Sequence, residues 1–274
     1  MSSGIPSREV LVCDSVTRMG THVHGNVAVA ASHGGVFAVH LALAEGVSGL
    51  VVCDAGVGLE RAGIAGLDYA GRLGVPCAAI HHRSARIGDG ADCALRGLIS
   101  FANAPALALG VRVGMPAMEA AQRMAAAGLS AVDPGPSPSE ARRVLPGTPG
   151  HRTVVLIDSA SLVAQEDADA VVITASHGGL LGGRAETAIK LPVFAALYND
   201  AGIGCDGAGV SRLPALDARG IPAATVAAGS ARIGDARSAW ETGVISRVNQ
   251  TAYALGGREG QGARDWAELM AAVR

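Results

Sequence analysis

At 274 residues the chain is long enough for one large domain or two of ordinary size, and for a substantial buried core. Its net charge of −2, from 22 Lys and Arg against 24 Asp and Glu, offers no basic face for nucleic acid or an anionic membrane surface. With 49% hydrophobic but only 3% aromatic residues, the core must be built from Ala, Val, Leu and Ile, and 38 glycines dispersed among turns argue against disorder.

Residues 1–10 contain no apolar run resembling a signal peptide, and no uncharged apolar run reaches membrane-span length. The five cysteines (Cys13, Cys53, Cys77, Cys93, Cys205) are odd in number and form no C-x-x-C pair, so free thiols in a reducing compartment are expected. A soluble cytoplasmic protein follows. A mean hydropathy of +0.33 with few charges adds the expectation of a homo-oligomer.

In chain order, the first predicted strand covers residues 10–13 and ends at Asp14-Ser15. The second, 27–31, runs into Ser32-His33-Gly34-Gly35 and a helix over 36–44. Such a turn leaves backbone N–H groups at a helix N-terminus, where a small anion is welcome. The third strand, 50–53, ends at Asp54-Ala55-Gly56, with a helix over 61–73. The fourth, 77–81, leads to Ser84 and Arg86, then to a helix over 91–109 carrying Ser100 and Asn103, and a last helix over 116–127.

The same series then recurs. Asp14 and Ser32-His33-Gly34-Gly35 reappear at Asp158 and Ser176-His177-Gly178-Gly179, an offset of 144 (176 − 32). Asp54, Ser84, Arg86 and Asn103 reappear at Asp200, Ser230, Arg232 and Asn249, an offset of 146 (200 − 54). Strands are expected again over 154–157, 170–175, 193–198 and 223–227. Chance does not hold one register over so many positions. The expected architecture is therefore α/β: two tandem duplicated Rossmann-like or flavodoxin-like parallel-sheet units related by a pseudo-twofold axis. They span residues 8–128 and 152–274, joined by a Pro/Gly-rich linker over 129–151 with one helical turn near 139–144.

Every repeated polar motif follows a strand, and parallel strands bring such motifs to one edge. His33 and His177 are candidate acid–base groups, as are Asp54 and Asp200, which also fit Asx turns. Ser32, Ser176, Gly34, Gly35, Gly178 and Gly179 are candidates to hold substrate, with helix capping by the serines as the alternative. Asn199, where the first half has Cys53, can bond an amide or carboxylate, and this difference suggests specialised halves. Ser84 with Arg86, and Ser230 with Arg232, are candidate anion clamps; Asp89 and Asp235 three residues on can instead neutralise the arginines.

No phosphate-loop pattern follows a strand, and no nucleotide cofactor is expected. His22, His24, His40, His81 and His82 occur in the first half alone, without an H-x-x-x-H helix, and no metal is expected from them. The expected function is a cofactor-independent enzyme acting on a small anionic, carboxylate-bearing metabolite, with hydrolysis of a C–N bond in a small amide or cyclic amide as the leading reaction. A lyase or isomerase with two matched half-sites, and a non-catalytic small-molecule binder, are the alternatives.

Overall fold

A computed structural model describes residues 8–138, 141–147 and 149–274. The signal-peptide reading of residues 1–10 therefore falls largely outside the described residues. The chain packs as two compact units that do not follow a single cut in the sequence. Unit 1 holds Met1–Ala55, Gly63–Pro138 and Gly204–Asp206; unit 2 holds Gly56–Ala62, Ser139–Ile203 and Gly207–Arg274.

Unit 1 is built on a five-stranded sheet of β1 (Val10–Cys13), β2 (Val27–His33), β3 (Gly49–Cys53), β4 (Cys77–Ile80) and β5 (Ile99–Ala102), in that order. The first four are parallel and β5 is antiparallel to β4. Helices α1 (Val36–Ala44) and α2 (Ala65–Arg72) pack on one another, while α3 (Gly90–Arg96) and α5 (Ala117–Ala126) pack together against β1 and β2. A short α4 (Ala104–Ala108) follows β5. Val27 to Ala31 and all of β3 are buried, as a strand covered on both faces requires.

The strand order is strictly sequential. It matches neither of the doubly wound orders of Rossmann and flavodoxin sheets, so there is no reversal of strand order at which a ligand crevice opens. The cause lies between β1 and β2, where two 3-10 turns (Val16–Arg18 and Thr21–Val23) make the connection in place of a crossover helix.

Residues 91–109 form a helix, a strand and a second helix rather than one helix. Gly97 ends α3: its N–H donates to the Cys93 carbonyl, and a Cβ there would lie 2.3 Å from that oxygen. Asn103 then caps α4 by accepting from the Ala106 N–H. Asn103 also accepts from Cys77 N–H and donates to the Leu67 and Val75 carbonyls, so it is a satisfied buried polar group.

Unit 2 is built on a six-stranded sheet ordered β11-β10-β9-β8-β7-β6. Its strands are β6 (Arg142–Leu145), β7 (Val154–Ile157), β8 (Val171–His177), β9 (Ala195–Asn199), β10 (Ala223–Val226) and β11 (Ile245–Val248). β7 to β10 are parallel, and the two outer strands are antiparallel. Alternate residues serve two cores. Val154, Leu156, Ile173, Leu197 and Val226 pack with Trp266 and Met270 of α9 (Ala263–Ala271). Val155, Ile157, Val172 and Tyr198 pack with Leu213 and Leu216 of α6 (Arg212–Asp217).

β6 lies where the sequence suggested a helical turn. Ser139 and Glu140 fall outside the described residues, and Arg142–Leu145 is a strand pinned by a bidentate bond from Arg142 to the buried Asp167. The molecule is thus mixed α/β with two sheets in which parallel pairing predominates. Among the described residues no helix is long and apolar enough to cross a membrane.

Candidate functional site

Unit 1 brings several predicted residues to the C-terminal ends of neighbouring strands. From Val29 to His33 β2 advances four residues while β3, from Val51 to Cys53, advances two, and this irregularity sets His33 beside Cys53. The Gly34 N–H donates to the Cys53 carbonyl, and a Cβ on Gly34 would lie 2.9 Å from the Gly63 carbonyl oxygen, so glycine is required there. Ser32 Oγ accepts from the Val16 N–H at 3.0 Å and so ties down the turn after β1. Gly35 is the N-cap of α1 and supplies no side-chain cap, leaving the first turn of that helix open to an acceptor from elsewhere.

His33 accepts from the Gly35 N–H through Nδ1 at 3.1 Å. A backbone amide can only donate, so the neutral ring carries its proton on Nε2. Burial pushes its pKa down to about 4. At neutral pH His33 is a hydrogen-bond donor and not a base.

The basic nitrogen belongs to His82. Asp54, 1% exposed at the end of β3, places Oδ1 3.0 Å from both His82 Nδ1 and His82 N–H. Its Oδ2 accepts from Ser100 Oγ at 2.9 Å. A carboxylate accepts, so Nδ1 holds the proton and Nε2 of the neutral ring is left basic. His81 stacks on His82 with ring centroids 4.6 Å apart, and its own Nδ1 accepts from Arg83 N–H, which puts its proton on Nε2. The stacked pair therefore combines one donor and one acceptor. Asp54, His81 and His82 also offer ligand atoms all within 4.8 Å of one another, a group able to hold a metal ion through nitrogen and oxygen.

The other expected residues of unit 1 are committed elsewhere. Arg86 Nε donates to Asp206 at 3.0 Å, and its guanidinium nitrogens lie 3.5 Å from Asp89 and Asp92. Asp92 and Asp206 also hold Arg96, so Arg86 belongs to a closed network of opposite charges. Asp206 is held below the usual carboxylate range by Arg96 and Arg86. Ser84 Oγ donates to the His81 carbonyl and accepts from Leu98 N–H, shaping the turn after β4.

Unit 2 makes several hydrogen bonds of the same kind at the corresponding sequence positions, with Ala227 and Ala228 where unit 1 has His81 and His82. Ser176 accepts from Ala160 N–H, Gly178 N–H donates to the Asn199 carbonyl, and His177 Nδ1 accepts from Gly179 N–H at 3.2 Å. Asp200 Oδ1 accepts from Gly202 N–H and Ala228 N–H, each at 2.9 Å. The position of His82 is taken by Ala228 (82 + 146). Asn199 is tied to Ala201 N–H and the Ala231 carbonyl, Ser230 to the Ala227 carbonyl and Val244 N–H. Arg232 is paired with Asp235 and Glu60. No α-helix follows Gly179; two 3-10 turns occupy that place, and the buried Arg212 donates to the Gly179 and Ala188 carbonyls.

The repeats pointed to His33 and His177, whereas the histidine hydrogen-bonded to a buried carboxylate is His82, set apart in the sequence by its lack of a counterpart. Comparison with protein-family models, with curated proteins and with solved structures finds no match to the chain.

Proposed function

We propose that the chain is an internal duplication whose halves have diverged, and that unit 1 carries an acid–base enzyme site that hydrolyses a C–N bond in a small carboxylate-bearing amide or cyclic amide. The single observation that carries this reading is the buried Asp54 carboxylate on His82 Nδ1. In this mechanism His82 Nε2 takes a proton from water as the water oxygen bonds to the amide carbon. Asp54 stabilises the imidazolium that forms. His81 Nε2–H stabilises the carbonyl oxygen as it gains charge. When the C–N bond breaks, His82 returns its proton to the leaving nitrogen. With Arg86 saturated by carboxylates, the uncapped first turn of α1 is the place for the substrate carboxylate, and His33 Nε2–H is a donor from the strand that leads into it. General acid–base groups of this kind supply about 10²–10⁴-fold in rate.

The test is incubation with a panel of small carboxylate-bearing amides and lactams, read by mass spectrometry. The expected result is a product heavier by one water that forms with the wild-type chain and not with His82→Ala. A product of unchanged mass would move the reading to an isomerase, and equal turnover by His82→Ala would overturn the site. Binding of panel members by both proteins with no turnover would leave a binding protein.

A further inference from the structure

Two side chains beside this site take no part in the chemistry proposed for it. Cys53 closes β3 next to Asp54, and Cys93 lies in α3 next to Asp92. Both are buried free thiols, and their Sγ atoms are 3.5 Å apart. Cys93 Sγ also donates to the Arg86 carbonyl at 3.4 Å. At the matching positions of unit 2 stand Asn199 and Ala239, so the paired thiols belong to unit 1 alone.

A disulfide needs sulfurs about 2.05 Å apart. Closing the gap here is a movement of about 1.5 Å by two sulfurs that each swing about a single Cα–Cβ bond. The backbone on either side is fixed, with Cys53 in register with Ile80 and α3 capped by Asp89 on the Asp92 N–H. The two thiols are thus held within reach of each other.

We propose that Cys53 and Cys93 form a reversible disulfide and make unit 1 a modification site for hydroperoxides. In the first step one thiol gives up its proton and its sulfur attacks the peroxide; the O–O bond breaks, an S–O bond forms, and the departing oxygen takes up that proton and leaves as water or an alcohol. In the second step the other thiol attacks that sulfenic sulfur; the S–O bond breaks, the S–S bond forms and water leaves. The two thiols lose two electrons and the peroxide gains them.

The experiment takes the reduced full chain, exposes it to hydrogen peroxide, alkylates it under denaturing conditions and maps the peptides by mass spectrometry. Of the five cysteines, two become resistant to alkylation, a linked peptide joins Cys53 to Cys93, and dithiothreitol restores both. In Cys93→Ser no such link forms. The proposal is overturned if Cys53 and Cys93 both remain alkylatable after Cys13 or Cys205 has been oxidised, or if the bridge joins other cysteines. The readout needs no turnover, so it stands or falls apart from the hydrolase reading.

Discussion

Replacing Asp54 by Asn separates the structural work of this carboxylate from the chemical work assigned to it. Asp54 is 1% exposed, and the hydrogen bonds it accepts include three from His82 N–H, His82 Nδ1 and Ser100 Oγ. Bonds to a charged acceptor contribute about 1.5–3 kcal/mol each against 0.5–1.5 for neutral ones, so loss of the charge costs about 1 kcal/mol per bond, or about 3 kcal/mol. Asp200→Asn in unit 2 is the matched control. It keeps the same fold position with two such bonds and no histidine, and costs about 2 kcal/mol. Both variants should melt roughly 5–10 °C lower. They part in the ¹⁵N spectrum of the imidazoles, which distinguishes the two neutral tautomers without any substrate. Wild type should show His82 protonated at Nδ1 and His33 at Nε2. Asp54→Asn should mix the tautomers of His82 alone, and Asp200→Asn should leave both as they were. An Nε2–H tautomer for His82 in the wild type would refute the assignment of its base.

The burial of His33 sets a pH dependence. Its folded pKa of about 4 lies below the ordinary value of about 6.5, so the unfolded chain binds the extra proton first. The stabilisation is complete above pH 6.5 and is lost as pH falls towards 4, on the order of 2–3 kcal/mol; urea unfolding at pH 7 and pH 4.5 should show this loss, and His33→Asn, which still accepts from Gly35 N–H, should reduce it. Asn103→Ala leaves two amides and two carbonyls of the β4–α4 junction without their partner, and should cost about 3–4 kcal/mol by denaturant titration, as should Asn249→Ala at the matching junction of unit 2. Arg142→Met strips the bidentate partner from the buried Asp167, which still keeps the Ala164 N–H; about 2–3 kcal/mol should be lost, with faster exchange of the β6 amides.

Those elements that were legible in the sequence are those whose signals are local. The helix expected over 36–44 coincides with α1, because Gly35 starts it and Gly46, at φ +84°, follows its end. Strand β2 announces itself as an apolar run between turn residues. Strand β5 did not, because Ile99–Ala102 is only four residues long between two helical segments and is marked as a strand by its antiparallel pairing with β4. Strand β6 was hidden for the same kind of reason: Arg142 finds Asp167 25 residues away, and nothing in the Pro-rich stretch announces that bond. The sequential strand order was likewise out of reach, since it turns on how the chain passes from β1 to β2 without a helix. In the site, the Asp54–His82 bond spans 28 residues and depends on the β3–β4 register that places Cys53 against Ile80.

Repetition and chemistry need not mark the same residue. His33 and His177 make the same bond to the amide two residues on, at 3.1 and 3.2 Å, and this bond completes a turn that both units need. A ring used in that way has no nitrogen left to accept a proton unless the turn gives one up, so identity between the halves is accounted for by the backbone. Asp54 and Asp200 share a structural task too, each accepting from the second residue after the neighbouring parallel strand, His82 N–H after β4 and Ala228 N–H after β10. What unit 1 adds is an imidazole on a carboxylate already in place. Under the proposed reading, a carboxylate that first served to shape a loop became the orienting partner of a base by one further step, the arrival of histidine at position 82. Ala228→His in unit 2 puts that step to a direct test: Asp200 should orient the new ring through Nδ1 as Asp54 orients His82. A new ring found with its proton on Nε2 would show that the aspartate alone does not set the tautomer.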